Sequence, residues 1–266
     1  MLTWQKLSDE EYHSRPEISF HGLMNCLRSY QHYQADRQTK KETQAMRFGT
    51  LAHLMALEPL EFKKRVKVSP KFDKRTKEGK AGYEAFIATL LPSDLVVDED
   101  DYTRLMGMRA KLDEAMLDPN LSWIFKDIER IEEALFFQMQ VNDTLIDCRM
   151  KPDAVGTTFI LDYKTTQDAS AEGFWKTVKS YNYDLQLYFY QYAESLVSKT
   201  QKELIILAQE TEAPYEFQFH IINQDGKEHA WNVLDLALNK YVLGKTGKQT
   251  GYPRAVCELM VRRSYE

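Results

Sequence analysis

The chain has 266 residues, 43% hydrophobic and 28% charged, with a formal net charge of −5; that length holds one α/β unit with an added helical portion. An acidic whole argues against coating nucleic acid by bulk attraction, and three scattered cysteines, Cys26, Cys148 and Cys257, argue against a disulfide framework, a structural zinc or a four-cysteine cluster. No apolar run approaches the roughly 18 residues of a membrane span, and the first residues lack the basic-then-apolar order of a signal peptide, so a cytoplasmic protein without membrane partners is expected.

Apolar periodicity predicts a mostly helical portion over about residues 1–130. Ser19 is the expected N-cap of a helix through about Tyr33, with Leu23, Leu27 and Tyr30 on one side. A second helix, from about Gln44 to Leu57 and stopped by Pro59, carries His53 inside the apolar stretch Leu51–Met55. A lone histidine there is more often a satisfied core residue than a ligand. Between Glu61 and Lys80, nine basic residues stand against three acidic ones. That run is either a solvated face or, beside an active site, a phosphate-tracking surface on which Arg75, Lys77 and Lys80 would contact DNA. Helices over Glu78–Leu91 and Asp100–Leu117 follow.

From Ile131 the pattern changes. Ala134–Val141, Thr144–Met150 and Thr158–Thr165 predict three antiparallel strands of one central meander, joined by a tight Asn142-Asp143 turn and a turn at Val155-Gly156. A helical block over Ala171–Ser198, broken near Ser180, leads to strands at Glu203–Glu210 and Tyr215–Asn223 and a helix over Glu228–Leu243. The expected architecture is α/β: one domain with a helical N-terminal part, a core at about 131–245 with a central mixed sheet flanked by helices, and a tail at 246–266.

The chemistry concentrates at residues 152–166. Asp162 and Lys164, two apart on a strand, share a face, while Phe159, Leu161 and Tyr163 point the other way. An ordinary surface ion pair is the plain reading, but the apolar flanks indicate burial, where charges are paired or bound to a metal. Phosphodiester hydrolysis needs a water made nucleophilic and a stabilised leaving oxygen, so Asp153 and Asp162 could hold Mg²⁺ while Lys164 orients water or neutralises charge. Arg149 could pair with a carboxylate or touch substrate. Glu132 and Glu133 begin the first meander strand, where only one can face inward. Gln186 and Tyr190, four apart on a predicted helix, share a face in an aromatic stripe, where Gln186 needs a polar partner.

In order along the chain, Gly49-Thr50-Leu51-Ala52-His53, Glu133, Pro152-Asp153, Asp162-Tyr163-Lys164-Thr165-Thr166 and Gln186-x-x-x-Tyr190 resemble the PD-(D/E)XK nucleases of the RecB-nuclease type, and among them the RecE-type (exonuclease VIII) exodeoxyribonucleases. Tyr12-His13 through Ile18-Ser19 to Tyr33, and Lys74–Lys80, add to a resemblance that spans about residues 8 to 253. It implies a restriction-endonuclease-like core and a magnesium-dependent exonuclease, with Mn²⁺ as a substitute, that digests linear duplex DNA from 5′ ends and leaves 3′ tails for recombination. By position it implies His53, Asp153, Asp162 and the backbone carbonyl of Tyr163 as metal ligands, Lys164 as catalytic lysine, Glu133 as accessory acid, and Gln186 with Tyr190 lining the site. It further implies DNA ends as partner, a homo-oligomeric ring, a single-strand annealing protein of the RecT type, and a bacterial or phage-infected cell. The chain departs from the family in lacking a long N-terminal extension, as in compact phage-type versions, and a Leu-Pro-x-Trp ending within 257–266. Two other readings stand beside it: an endonuclease or single-strand nuclease with the same site, and a DNA-end-binding recombination factor that does not cut.

Overall fold

In the computed structural model, which describes residues 2–38 and 43–252, the chain opens with strand β1 (Trp4–Lys6) and helix α1 (Asp9–Ser14), where Ser8 and Glu11 form a reciprocal capping box. Ser19 caps the next helix through its bond from the Gly22 N–H, but the helix expected to reach Tyr33 is two, α2 (Phe20–Arg28) and α3 (Tyr30–Gln38). The extended backbone of Ser29 parts them. α4 (Gln44–Leu57) has the expected bounds, and Pro59 does more than stop it. It begins α5 (Pro59–Arg65), where its missing N–H would have had no helical partner anyway.

An arm follows: β2 (Val66–Ser69), α6 (Lys77–Ala88) and β3 (Leu95–Asp98), the two strands forming a separate parallel pair that periodicity had not marked. Then come α7 (Glu99–Leu117), α8 (Ser122–Lys126), β4 (Ile128–Ile131), β5 (Glu133–Val141), β6 (Thr144–Met150), β7 (Ala154–Gly156) and β8 (Phe159–Thr166). The chain continues through α9 (Ala171–Tyr181), α10 (Tyr183–Ser198), β9 (Glu203–Glu210), β10 (Phe217–Ile221) and α11 (Lys227–Lys245). The helical block therefore breaks near Ser180 as expected, at Asn182, which lies in the left-handed region.

The fold is mixed α/β with a helical N-terminal region, as expected, but the three central strands do not make one meander. β5 and β6 pair through the Asn142-Asp143 turn and join β1 in a three-stranded sheet; β8 lies in a five-stranded sheet of order β10-β9-β8-β7-β4. That sheet is mixed because β8 and β9, linked through α9 and α10, run parallel. Val155-Gly156, read as a turn, is strand: Val155 pairs with Ile160, and the turn falls on Thr157-Thr158. Gly156 is needed there for close approach, since a Cβ would lie 2.6 Å from the Phe159 ring.

Alternation along the central strands divides the core. Phe159, Leu161, Tyr163, Ile205 and Leu207 pack toward α4 and α7; Ile160, Leu204, Ile206 and Ala208 pack toward α10, α11 and the three-stranded sheet. Cys26 and Cys148 are free and buried. The ending at 253–266, including Cys257 and the departure from the expected motif, lies outside the described residues. No helix among the described residues is long and apolar enough to cross a membrane.

Candidate active site

β7 and β8 share only two register pairs, ending at Ala154↔Leu161. Beyond them Asp153 replaces the ladder with its side chain: Oδ2 accepts the Tyr163 N–H at 2.6 Å, so a buried donor is satisfied by a carboxylate. His53 reaches the same oxygen from α4, with Nδ1 at 3.3 Å, and its ring stands edge-on to the Tyr163 ring, centroids 5.1 Å apart. The Tyr163 side chain itself serves the core, its hydroxyl donating to Gln209 Oε1 at 2.7 Å.

On the opposite face of β8, Lys164 Nζ lies 2.6 Å from Asp162 Oδ2 and 4.6 Å from the centre of the Tyr183 ring. This contact is close but poorly directed, and Asp162 Oδ2, in a residue only 1% exposed, is left without a hydrogen bond. The third acid is Glu132. It joins β4 of one sheet to β5 of the other with φ of 52°, donates its N–H to the Asp153 carbonyl at 3.0 Å, and pairs with Lys151 at 2.7 Å. Lys151 in turn reaches Asp9 at 2.6 Å.

One ligand atom each from His53, Glu132 and Asp153 lie within 4.8 Å of one another. Around an ion with 2.1 Å bonds, neighbouring donors sit about 3.0 Å apart and opposite ones about 4.2 Å, so closure of this set would bring all three onto one Mg²⁺ or Mn²⁺. An orphaned, buried oxygen on Asp162 beside this set is what a site built around a cation would leave, and these residues fit one.

The charges are arranged unevenly. Burial alone would push the Asp153 carboxyl up, but His53, Lys164 and the Tyr163 N–H together hold it well below the usual carboxylate range. Burial dominates at Asp162, and with Asp153 nearby pushes it up to about 6 in spite of Lys164. Burial and Asp153 likewise raise Glu132 against the pull of Lys151. Burial would lower His53 and Lys164, but the facing carboxylates outweigh it and raise both. Three carboxylates, Asp153, Asp162 and Glu132, face three basic groups, His53, Lys164 and Lys151; burial still raises Asp162 and Glu132, and a cation bound there would favour their ionised forms.

Of the residues singled out from sequence, His53 and Asp153 meet in the cluster and Asp162 with Lys164 stands beside it. Glu133 does not face it. Its carboxylate pairs with Arg130 at 2.9 Å, and Glu132 occupies the position beside Asp153 because its left-handed backbone resets which side chain turns inward. Among the described residues Arg149 is paired with no carboxylate, and it is not open to DNA. It is buried, donating to the carbonyls of Tyr12 and Arg15 with its guanidinium 4.7 Å from the Tyr12 ring centre, and so pins α1 to β6. Gln186 Nε2 donates to Tyr190 Oη at 2.8 Å. Burial raises that phenol well above its ordinary range, and the charges of Asp162 and Asp153 add to the effect. Arg75 is exposed and paired with Asp73 at 2.9 Å, while Lys77 and Lys80 sit in the first turn of α6. Among the described residues no hydrogen bond or ion pair joins these three to the cluster. Sequence reading did not mark Lys151, whose one signal was its place two residues before Asp153, and took Tyr183 only as part of the aromatic stripe around Gln186 and Tyr190.

A family model described as "PDDEXK-like domain of unknown function (DUF3799)" matches residues 19–260. Among solved structures, that of a candidate exonuclease from Eubacterium rectale superposes with a TM-score of 0.64 at 13% identity, over 98% of this chain and 97% of that one, a likeness of fold alone. The structure of SSO0001 aligns over 73% of this chain and 84% of its own at 14% identity, with a TM-score of 0.33, too low to carry an argument. No curated protein matches the sequence.

Proposed function

This chain belongs to the PDDEXK-like domain family of unknown function (DUF3799), and from that premise we propose that it is a metal-dependent exonuclease acting on the ends of linear duplex DNA. The observation that carries the proposal is the β7–β8 pair, which sets Asp153 against the Tyr163 N–H and places Asp162 with Lys164 one residue to either side of it, while His53 and Glu132 close over Asp153. A divalent cation held there, Mg²⁺ or Mn²⁺, would polarise the scissile phosphate and make water a better nucleophile. Asp153, already ionised and anchored by the Tyr163 N–H, presents a fixed carboxylate; His53 braces it from α4. Lys164, kept protonated by two carboxylates, neutralises charge developing on the phosphate. Gln186 and Tyr190 lend polar atoms to the same side of the sheet.

The finer reading rests on other support. The order of motifs resembles that of the RecE-type enzymes, and the Eubacterium rectale structure, similar over nearly its whole length, is named as a candidate exonuclease. On these grounds we assign 5′-to-3′ digestion, 3′ tails for annealing-type recombination, a homo-oligomeric ring and a RecT-type partner.

The test is digestion of linear and covalently closed duplex DNA with Mg²⁺, with chelator and with Asp162→Ala. Loss of the linear form alone, dependent on metal and on Asp162, is the expected result. Cutting of the circle would replace the exonuclease with an endonuclease, and digestion of neither would leave a DNA-end-binding protein.

A further inference from the structure

Tyr181 and Tyr183 stand on either side of the break between α9 and α10. In a continuous helix, residues two apart point about 200° away from each other. Here Asn182, with φ of 57°, breaks the helix, and the two rings stack with centroids 5.5 Å apart and planes 15° from parallel. Asparagine is one of the few residues that adopts this conformation readily.

The inner ring, Tyr183, lies against Lys164, which is paired with Asp162. The outer ring, Tyr181, is 66% exposed and covers no core residue. Both rings line a groove of about 880 Å³ that also presents Lys176, Thr165 and Thr166, the last two directly following Lys164 on β8. Arg104, which also lines it, is taken up by Asp101 and Glu212, and Asp168 bonds the Ser170 N–H ahead of α9 while also feeling Lys176, so that among the described lining residues Lys176 is the cation not held in an ion pair. A stacked aromatic pair rooted on the catalytic lysine and open at its outer face is a surface to which the flat face of a nucleobase adds directly.

We propose that Tyr181 is a stacking platform for an unpaired base of the strand being cleaved, holding that strand in the groove with its phosphate over Lys164. This deepens the nuclease reading and rests on it. The platform selects single-stranded character near the cut and is indifferent to base identity, because every base offers a π-face.

The experiment measures binding of a short single-stranded DNA containing 2-aminopurine, in chelator so that nothing is cleaved, to the wild type, Tyr181→Leu and Tyr181→Trp. Wild type and Tyr181→Trp should quench the fluorophore, and Tyr181→Leu should bind about tenfold more weakly without quenching, with a matching rise in KM for linear duplex digestion. Replacing the base opposite the platform by an abasic residue should erase the difference between the variants. If wild type digests DNA and Tyr181→Leu matches it in both quenching and KM, the platform is refuted and the nuclease reading stands. If wild type neither binds nor digests DNA, both fall together. Asn182→Gly, which keeps the left-handed turn, should behave as wild type, whereas Asn182→Val should reproduce the loss seen in Tyr181→Leu.

Discussion

The β7–β8 pair and the arm that runs from β2 through α6 to β3 carry charge in opposite ways. In the pair, the charged groups are largely withdrawn from solvent: Asp162 and Asp153 are buried, Lys164 is half-buried against them, and the three must answer to one another. In the arm, α6 has no buried residue, and what shapes it is local: the Thr76 cap on the Gly79 N–H, Lys74 lying 3.4 Å over the Tyr83 ring, and Phe72 packed against Tyr83 and Phe86. Part of the basic run is neutralised in place, with Arg75 paired to Asp73, Lys71 to Asp100 and Lys67 to Asp94. The difference teaches that charge density in a sequence is a poor guide to chemistry, whereas enforced burial of a few charges is a good one.

The strongest way to break this comparison is to remove a buried charge. Asp162→Ala and Lys164→Ala should each reduce hydrolysis by about a thousandfold or more in a steady-state digestion assay, with far-ultraviolet dichroism unchanged. A smaller effect separates the two neighbouring acids: Glu132→Gln should reduce metal affinity and activity by about 10- to 100-fold, read by isothermal titration and digestion, while Glu133→Gln stays within about twofold. In the arm, Lys77→Ala with Lys80→Ala should weaken DNA binding severalfold and lower the slope of log affinity against log salt by about two, leaving the rate at saturating DNA intact. An unchanged slope would mean that this arm is a solvated face and nothing more.

The smallest effect has the opposite sign. Because burial raises the Asp162 carboxyl to about 6, the folded state holds its proton more tightly than the unfolded chain, so metal-free stability falls as pH rises from about 4 to 6 and stays low above that. Asp162→Asn should therefore raise the metal-free melting temperature at pH 8 by a few degrees while abolishing hydrolysis, and the gain should vanish near pH 4. A lowered melting temperature at pH 8 would show that Lys164 depends on this carboxylate more than burial penalises it.

Much of this was legible in the chain because it is local. α4, β6 and β9 have the bounds read from periodicity, and the two-residue alternation of β8 assigned Asp162 and Lys164 to one face and Tyr163 to the other. What failed was decided at a distance or by a single dihedral. Whether β6 pairs with β8 depends on hydrogen bonds that neither strand's pattern encodes, and the chain places them in different sheets. Arg149 finds its acceptors more than 130 residues away in backbone carbonyls, which no side-chain motif announces. Glu132 and Glu133 are chemically identical, and only the sign of one φ angle separates them.

That angle has a consequence for how the protein tolerates change in length. Glu132 is the only residue between β4 and β5, which belong to different sheets, so the joint of the scaffold and a donor of the cluster are the same residue. Most hairpins absorb an inserted residue by lengthening the turn, and the Asn142-Asp143 connection should accept one with little penalty. Between Arg130 and Glu133 there is no slack: one added or deleted residue would swing the two sheets relative to each other and carry the carboxylate away from Asp153. Natural and engineered length variation should accordingly be free at 142–143 and forbidden at 132.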